Sequence, residues 1–325
     1  MQVCRKPGEI LRVSTRVAGG DRDGARRGQV TRKRLRSNVI DYASHPTVKR
    51  PRRTGQADRV RYPLNHPLGR FGIETDDDDP DAATASVPTA GLVNPLTGLP
   101  TVAPLAMLVD HVAGTANHAR RAAGEWTVSS ELALEIAPGA VDVIAAAPDH
   151  PVVGVARAVG PKATTALALC ELCVDDTVIA TATVRSFFIP APETFTTWSE
   201  APDVAAIGPR LADRMAVEVG ETGGSATVLV QRDDPALYNG VGVIHGGVSS
   251  MGLELVGSAA LNPGDGPEFA TGSLRVNFLR PMHGGAGAHY SATPTRVGRR
   301  SAVVDSVAIG SDGRPALTGR LTAYR

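Results

Sequence analysis

The 325-residue sequence predicts an α+β protein made of two similar halves. Three observations carry that prediction. An apolar helix with one acid in its middle, followed by a series of strand-like runs, occurs twice. Landmarks recur at a near-constant offset: Asp110 and Glu254 are 144 residues apart, Pro138 and Pro281 are 143 apart, and Phe187 and Tyr324 are 137 apart. Between the halves lies a stretch holding Pro190, Pro192, Pro202 and Pro209, residues that disfavour regular structure. Fixed spacing of this kind is the mark of an internal duplication. The division that follows is a basic tail over 1–60, a first module over 61–188, a linker over 189–210 and a second module over 211–325.

The tail is set apart by charge. Residues 1–61 hold 17 Lys and Arg against 5 Asp and Glu, a net of +12 in a chain whose total is +1. Such a segment buries too little apolar surface to offset its ordering entropy, so it is expected to be disordered. Clustered arginines attract phosphate, but no aromatic residues are interleaved and no motif is present, so a nucleic-acid partner is not expected.

In the first module, runs at 69–74 and 83–87 flank the acidic tip Asp76 to Asp79 and read as a hairpin with a solvated turn. The helix follows at 105–116. It is apolar on most sides and should be buried. Strands are expected at 127–136, 141–146, 152–159, 164–174 and 178–187. In the second module a hairpin at 215–219 and 225–231 precedes the helix at 248–261. Strands then follow at 271–279, 288–292, 301–309 and 315–323. A helix followed by successive strands suggests an antiparallel sheet packed on that helix.

The chemistry points to one junction, Asn239-Gly240-Val241-Gly242-Val243-Ile244-His245-Gly246-Gly247, which runs straight into the second helix. Backbone N–H groups at a helix start are unpaired and carry the positive end of the dipole. Glycine lets a ligand approach them closely. Such a site suits a developing oxyanion. Asn239 can donate a further hydrogen bond or hold the loop. Glu254 lies nine residues after His245, about two turns into the helix. A carboxylate partly buried there can attack an ester-like carbon or activate water. A second His-Gly-Gly at 283–285 has no apolar helix after it and reads as a turn.

At these residues the chain resembles the hotdog-fold acyl-CoA thioesterases of the PaaI-like type. In that family an Asn precedes His-Gly-Gly by six positions and an Asp or Glu follows the His by nine. Asn239, His245, Gly246, Gly247 and Glu254 fit. Thr271 falls where the family places a Ser or Thr near the catalytic water, and 274–281 is similar to the family's second strand. The first module resembles the family less well. Asp110 aligns with Glu254, but Thr101, Val102 and Ala103 stand in place of His-Gly-Gly, and Pro95 replaces the Asn. Thr127 is its candidate for the Ser or Thr role, although strict spacing to Pro138 gives Val128.

The resemblance implies two tandem hotdog modules, each an antiparallel sheet wrapped on a central helix. It also implies sites that take Asn and glycine from one module and the acid from the other. One site then combines Asn239, His245 and Gly246 with Asp110. The other combines Glu254 and Thr271 with the degraded first motif, and the Asp110 site is expected to be the productive one. The implied activity is hydrolysis of acyl-CoA to free acid and CoA, by carboxylate-assisted water attack or through an acyl anhydride. No metal or redox cofactor is needed, CoA being part of the substrate. Arg280, Arg299 and Arg300 are candidates to meet CoA phosphates. Pairing of double hotdogs into a homodimer is compatible with the family. The alternatives are a non-catalytic acyl-CoA sensor and an enoyl-CoA hydratase-like hotdog.

Other signals exclude rather than add. Cys170 and Cys173 have the spacing of half a zinc site, with no second pair. Three cysteines build no disulfide framework, so a cytoplasmic setting is expected. No apolar run approaches the roughly 20 residues that span a bilayer. His111 and His118, seven apart on or beside the first helix, are placed to line the groove, but a surface position is the expectation.

Overall fold

A computed structural model describes residues 59–76, 82–198, 207–220, 227–264 and 268–325. The basic tail up to residue 58, most of the acidic tip and part of the proline-rich linker lie outside the described residues.

In the first half, β1 (Arg59–Arg61), α1 (Pro67–Arg70), β2 (Glu74–Asp76) and β3 (Ala83–Val87) lead into the long helix α2 (Ala103–His118). Then come β4 (Glu125–Ile136), α3 (Ala140–Ala146), β5 (Val152–Val159), β6 (Thr165–Val174) and β7 (Thr177–Pro190). The second half holds α4 (Leu211–Met215), β8 (Val217–Val219), β9 (Thr227–Gln231) and the long helix α5 (Gly246–Leu261). It ends with β10 (Ala270–Phe278), β11 (His289–Val297), β12 (Ser301–Ile309) and β13 (Pro315–Tyr324).

The described strands join one 13-stranded sheet in the order β1-β2-β3-β5-β6-β7-β4-β10-β13-β12-β11-β9-β8, every named pair antiparallel. Read outward from the β4–β10 seam, the two sides mirror each other. β7 and β13 come next, then β6 and β12, β5 and β11, β3 and β9. Helix α2 packs on its own half of the sheet, α5 on the other, and the two helices touch. Both helices are 16 residues long and almost wholly buried, which is why their sequences are apolar on nearly every side.

The helices can touch because Gly247 has no side chain. A Cβ there would stand 2.7 Å from the Met107 backbone on α2. Similarly, a Cβ on Gly252 would lie 2.4 Å from the Tyr290 ring of β11. Small residues on α5 thus set how deeply it sits between α2 and the sheet.

Two expected strands are helical. Residues 69–73 form the end of α1 and a turn. His66 caps that helix by accepting from the Leu68 N–H, and Pro67 supplies the pre-set φ of a first turn. Residues 141–146 form α3, launched by Gly139 in the left-handed region (φ 75°). A short run of Ala and Val is compatible with either period, and the glycine turn decides it. Cys170 is buried in the core, where burial pushes its thiol up to about 12, and the described residues contain no cluster of three potential metal ligands. No helix among the described residues is long and apolar enough to cross a membrane.

Candidate active site

The N-terminus of α5 opens onto a cleft of about 640 Å³ between the two halves, a size typical of small-molecule sites. Its walls come from α2, the start of β4, the end of β7, the 239–246 loop and the 278–282 segment after β10. The loop is held from within. The Asn239 side-chain oxygen accepts from the Val241 and Val243 N–H groups, and Gly242 supplies the positive φ of 77° that turns the chain. Of the two roles open to Asn239, loop holding is therefore the one its oxygen fills.

His245 is the N-cap of α5. Its Nδ1 accepts from the Gly247 N–H at 3.1 Å and lies 3.3 Å from Asp110 Oδ2. An Nδ1 that accepts places the ring proton on Nε2. Burial lowers the His245 pKa, against the opposing pull of Asp110. The ring is thus neutral, and its contact with Asp110 is not an ion pair.

Asp110 reaches this point from α2. It is buried, Ser129 Oγ donates to its Oδ1 at 2.8 Å, and its Oδ2 faces His245 and Gly246. A Cβ on Gly246 would stand 2.9 Å from that oxygen and 2.9 Å from the Phe278 ring. One carboxylate oxygen is therefore anchored. The other lies beside the first amide of α5, which precedes the helical ladder and is unpaired by position.

Glu254 has a different environment. It is 2% exposed and is not among the residues that line the cleft. Thr101 Oγ donates to one of its oxygens at 3.0 Å and Thr271 Oγ to the other at 2.8 Å. Burial raises its pKa, and these hydroxyls act in the opposite direction. The 144-residue offset that relates Asp110 to Glu254 also relates Thr101 to His245 and Val102 to Gly246. Val102 is buried where the other half has an open glycine. The two acid sites are built alike, but that of Glu254 is filled.

The hydroxyl partner of Asp110 is Ser129, where the sequence points to Thr127. Thr127 lines the cleft, but its hydroxyl meets His118 Nδ1 at 2.6 Å. A register shift between Ser129 and Glu131 against β7 moves the strand's facing residues. An equivalent shift follows Thr271 in β10. Each acid is thus matched to the hydroxyl just before a bulge, and a bulge leaves no mark in a residue pattern. Replacing Ser129 by Ala is expected to lower kcat by about tenfold to a hundredfold with little change in KM, since it frees the anchored oxygen. Steady-state kinetics on a thioester checks it.

Residues 241–316 match the family model described as Thioesterase superfamily. No curated protein sequence matches the chain. Among solved structures, the tesB protein of Mycobacterium avium subsp. paratuberculosis is 13% identical. That match covers 79% of this chain and 97% of that one at a TM-score of 0.52. A thioesterase II candidate of Thermobifida fusca is 10% identical, covering 77% and 96% at a TM-score of 0.51. At these identities the likeness shows the fold. Residues 241–316 are similar to the thioesterase superfamily, and the chain has the hotdog fold.

In this hotdog chain, Arg280 lines the cleft and donates to the Pro315 carbonyl. Arg299 and Arg300 do not line it. They precede β12, whose Ser301 pairs with Tyr324 opposite Ala270, at the Thr271 end of β10. Seven residues of strand, about 23 Å, separate that end from Phe278.

His111 and His118 are buried and line the cleft, a correction to their expected surface position. Helix α2 is enclosed on all sides, so no face was left for a solvated histidine. His66, outside the predicted set, joins them. Burial lowers each of the three to about 3, with neighbouring His245 adding to it for His66 and His111, and Arg121 for His118. Their folded pKa values lie below the unfolded 6.5. Stability is therefore fully present above 6.5 and is lost as pH falls from there towards 3. One unit below 6.5, each costs about 1.4 kcal/mol. The thermal midpoint is expected to fall steeply below pH 6.5, as a pH series of melting curves would show.

Proposed function

We propose that the protein hydrolyses acyl-CoA thioesters at this cleft. The observation that carries the reading is the meeting of Asp110 Oδ2 with Gly246 at the start of α5, on the wall of a cleft large enough for an acyl thioester. In this reading the Gly246 N–H, aided by the helix dipole, holds the oxygen that becomes negative as the thioester carbonyl is attacked. Asp110 Oδ2 takes a proton from the attacking water, or attacks the carbonyl itself to give an anhydride that water then opens. Ser129 orients the carboxylate, and neutral His245 holds the Gly247 amide at the start of α5. The thiolate of CoA leaves.

The chain is read as two hotdog modules in tandem, bounded near 61–188 and 211–325, and supported by the mirrored strand order and by the paired acid–hydroxyl contacts. The Asp110 site takes its acid from the first module and its amide from the second. The Glu254 site keeps the acid and hydroxyl, but Thr101 and Val102 occupy the space of the imidazole and the glycine. A cytoplasmic location belongs to the same proposal.

A thiol-release assay over a panel of acyl-CoAs tests the function. Release at a rate well above the uncatalysed one supports it. Tight binding without release identifies an acyl-CoA sensor, and water addition to an unsaturated acyl-CoA without release identifies a hydratase.

A further inference from the structure

Helices α2 and α5 hold five glycines, and four of them are accounted for by what they touch. A Cβ on Gly246 would stand 2.9 Å from Asp110, one on Gly247 2.6 Å from Met107, one on Gly252 2.4 Å from Tyr290 and one on Gly257 3.3 Å from Leu321. Gly114 is different. It sits in the interior of α2, one turn or about 6 Å beyond Asp110. A Cβ there would meet nothing within 4 Å. Glycine in a helix interior is destabilising relative to alanine, and no close packing offsets that here. What Gly114 does face is the cleft, on the side of α2 that carries Asp110, His111, Thr115 and His118.

The other half shows what a side chain at this position does. The 144-residue offset carries Gly114 to Ser258. The loops that face the two positions are copies. Asn94 and Asn239 each accept, through the side-chain oxygen, from the N–H two residues on, and Gly98 (φ 72°) and Gly242 (φ 77°) make the same turn. In the filled half the Ser258 hydroxyl accepts from the Asn94 amide at 3.0 Å, and it lies close enough to Glu254 to pull that carboxyl's pKa down against burial. A side chain here thus stands between the loop asparagine and the carboxylate. In the open half no described residue takes that place. Gly114 has no side chain, and the Asn239 amide finds no acceptor among the described residues.

Resting on the thioesterase reading, we infer that Gly114 determines specificity by leaving room for acyl groups larger than acetyl, whose chain crosses α2 there as it leaves the reacting carbon. The neighbouring wall suits hydrocarbon. One turn further on, His118 meets the Trp126 ring edge-on at 4.5 Å, and Val128 and Ile189 line the same cleft. Arg280 is the sole Lys or Arg among the described lining residues, so the part of α2 that lines the cleft offers the phosphates of CoA no cation. A methylene's worth of room in a binding pocket is worth about tenfold to two-hundredfold in kcat/KM. A carbon added at position 114 takes that much room from the acyl chain.

The test uses the full chain, its Gly114→Ala, Gly114→Ser and Gly114→Val variants, and straight-chain acyl-CoAs from acetyl to dodecanoyl. The quantity read is the ratio of kcat/KM on each larger acyl-CoA to kcat/KM on acetyl-CoA. For the larger acyl groups that the wild type turns over, this ratio is expected to fall at least about tenfold in Gly114→Ala and Gly114→Ser, and further in Gly114→Val. Ser258→Gly, the reverse change in the filled half, is expected to leave the ratio as it is. Alanine and serine are better helix formers than glycine, so their melting midpoints are expected to hold or rise, and they carry the test if Gly114→Val unfolds. A loss equal on every acyl-CoA, which would put the pantetheine arm or the attacking water over Gly114, would overturn the proposal and leave the hydrolase reading standing. So would a ratio unchanged in all three variants, a ratio moved by Ser258→Gly, or a wild type that accepts acetyl-CoA alone. Absence of thiol release from every acyl-CoA in the wild type would overturn both.

Discussion

Asp110→Asn is expected to lower thiol release from acyl-CoA by about a thousandfold or more, while Glu254→Gln retains most of it. The substitution keeps the shape of the side chain. Its oxygen can still accept from Ser129, and its amide can sit where Oδ2 meets His245. What is lost is a group able to take a proton or form a bond to carbon, and positioned general bases contribute about a hundredfold to ten-thousandfold. Glu254 has the same chemistry but another setting: both its oxygens are taken by threonine hydroxyls, and Val102, at the position equivalent to Gly246, is buried. A chromogenic thiol assay on the purified variants, with melting curves as the control for folding, decides between them. Loss in Glu254→Gln with activity kept in Asp110→Asn would reverse the assignment of the sites.

Gly246→Ala is expected to lower kcat/KM by about a hundredfold with a smaller effect on stability. The added methyl would stand 2.9 Å from both Asp110 Oδ2 and the Phe278 ring, well inside the 3.5–4.0 Å of ordinary contact. Something must move, and the mobile partners are the carboxylate and the ring that frame the reacting position. A displacement near 1 Å at such a point costs about two orders of magnitude. The first half already carries the natural version of this change, since Val102 occupies the equivalent place beside Glu254. Wild-type kcat/KM in Gly246→Ala would show that the α5 amide is not where the carbonyl binds.

Much of the fold was legible because duplication repeats its landmarks. The two long helices, their mid-helix acids and most strands follow from apolar periodicity and the constant offset. The misread elements are short ones at 69–73 and 141–146, where a few residues fit two periods and the decision rests on a cap and a left-handed glycine. In the site, Asn239, His245 and Gly246 stand together in the chain, so their proximity was readable. Ser129 was missed by two residues because a bulge resets the facing of β4. His66 and the Trp198 strap come from segments with no motif, and only the packing brings them to the cleft.

The sequence by itself determined two buried helices, the acid on each, and the glycine junction that leaves the start of α5 bare. It did so because periodicity, spacing and the absence of a side chain are properties of neighbouring residues. The tertiary structure decided which acid faces the bare amide, which hydroxyl anchors it and which half closes its own site. The first and last of these depend on contacts between residues more than a hundred positions apart, made when Gly247 lets α5 settle against Met107 of α2, and the anchoring hydroxyl depends on the bulge in β4.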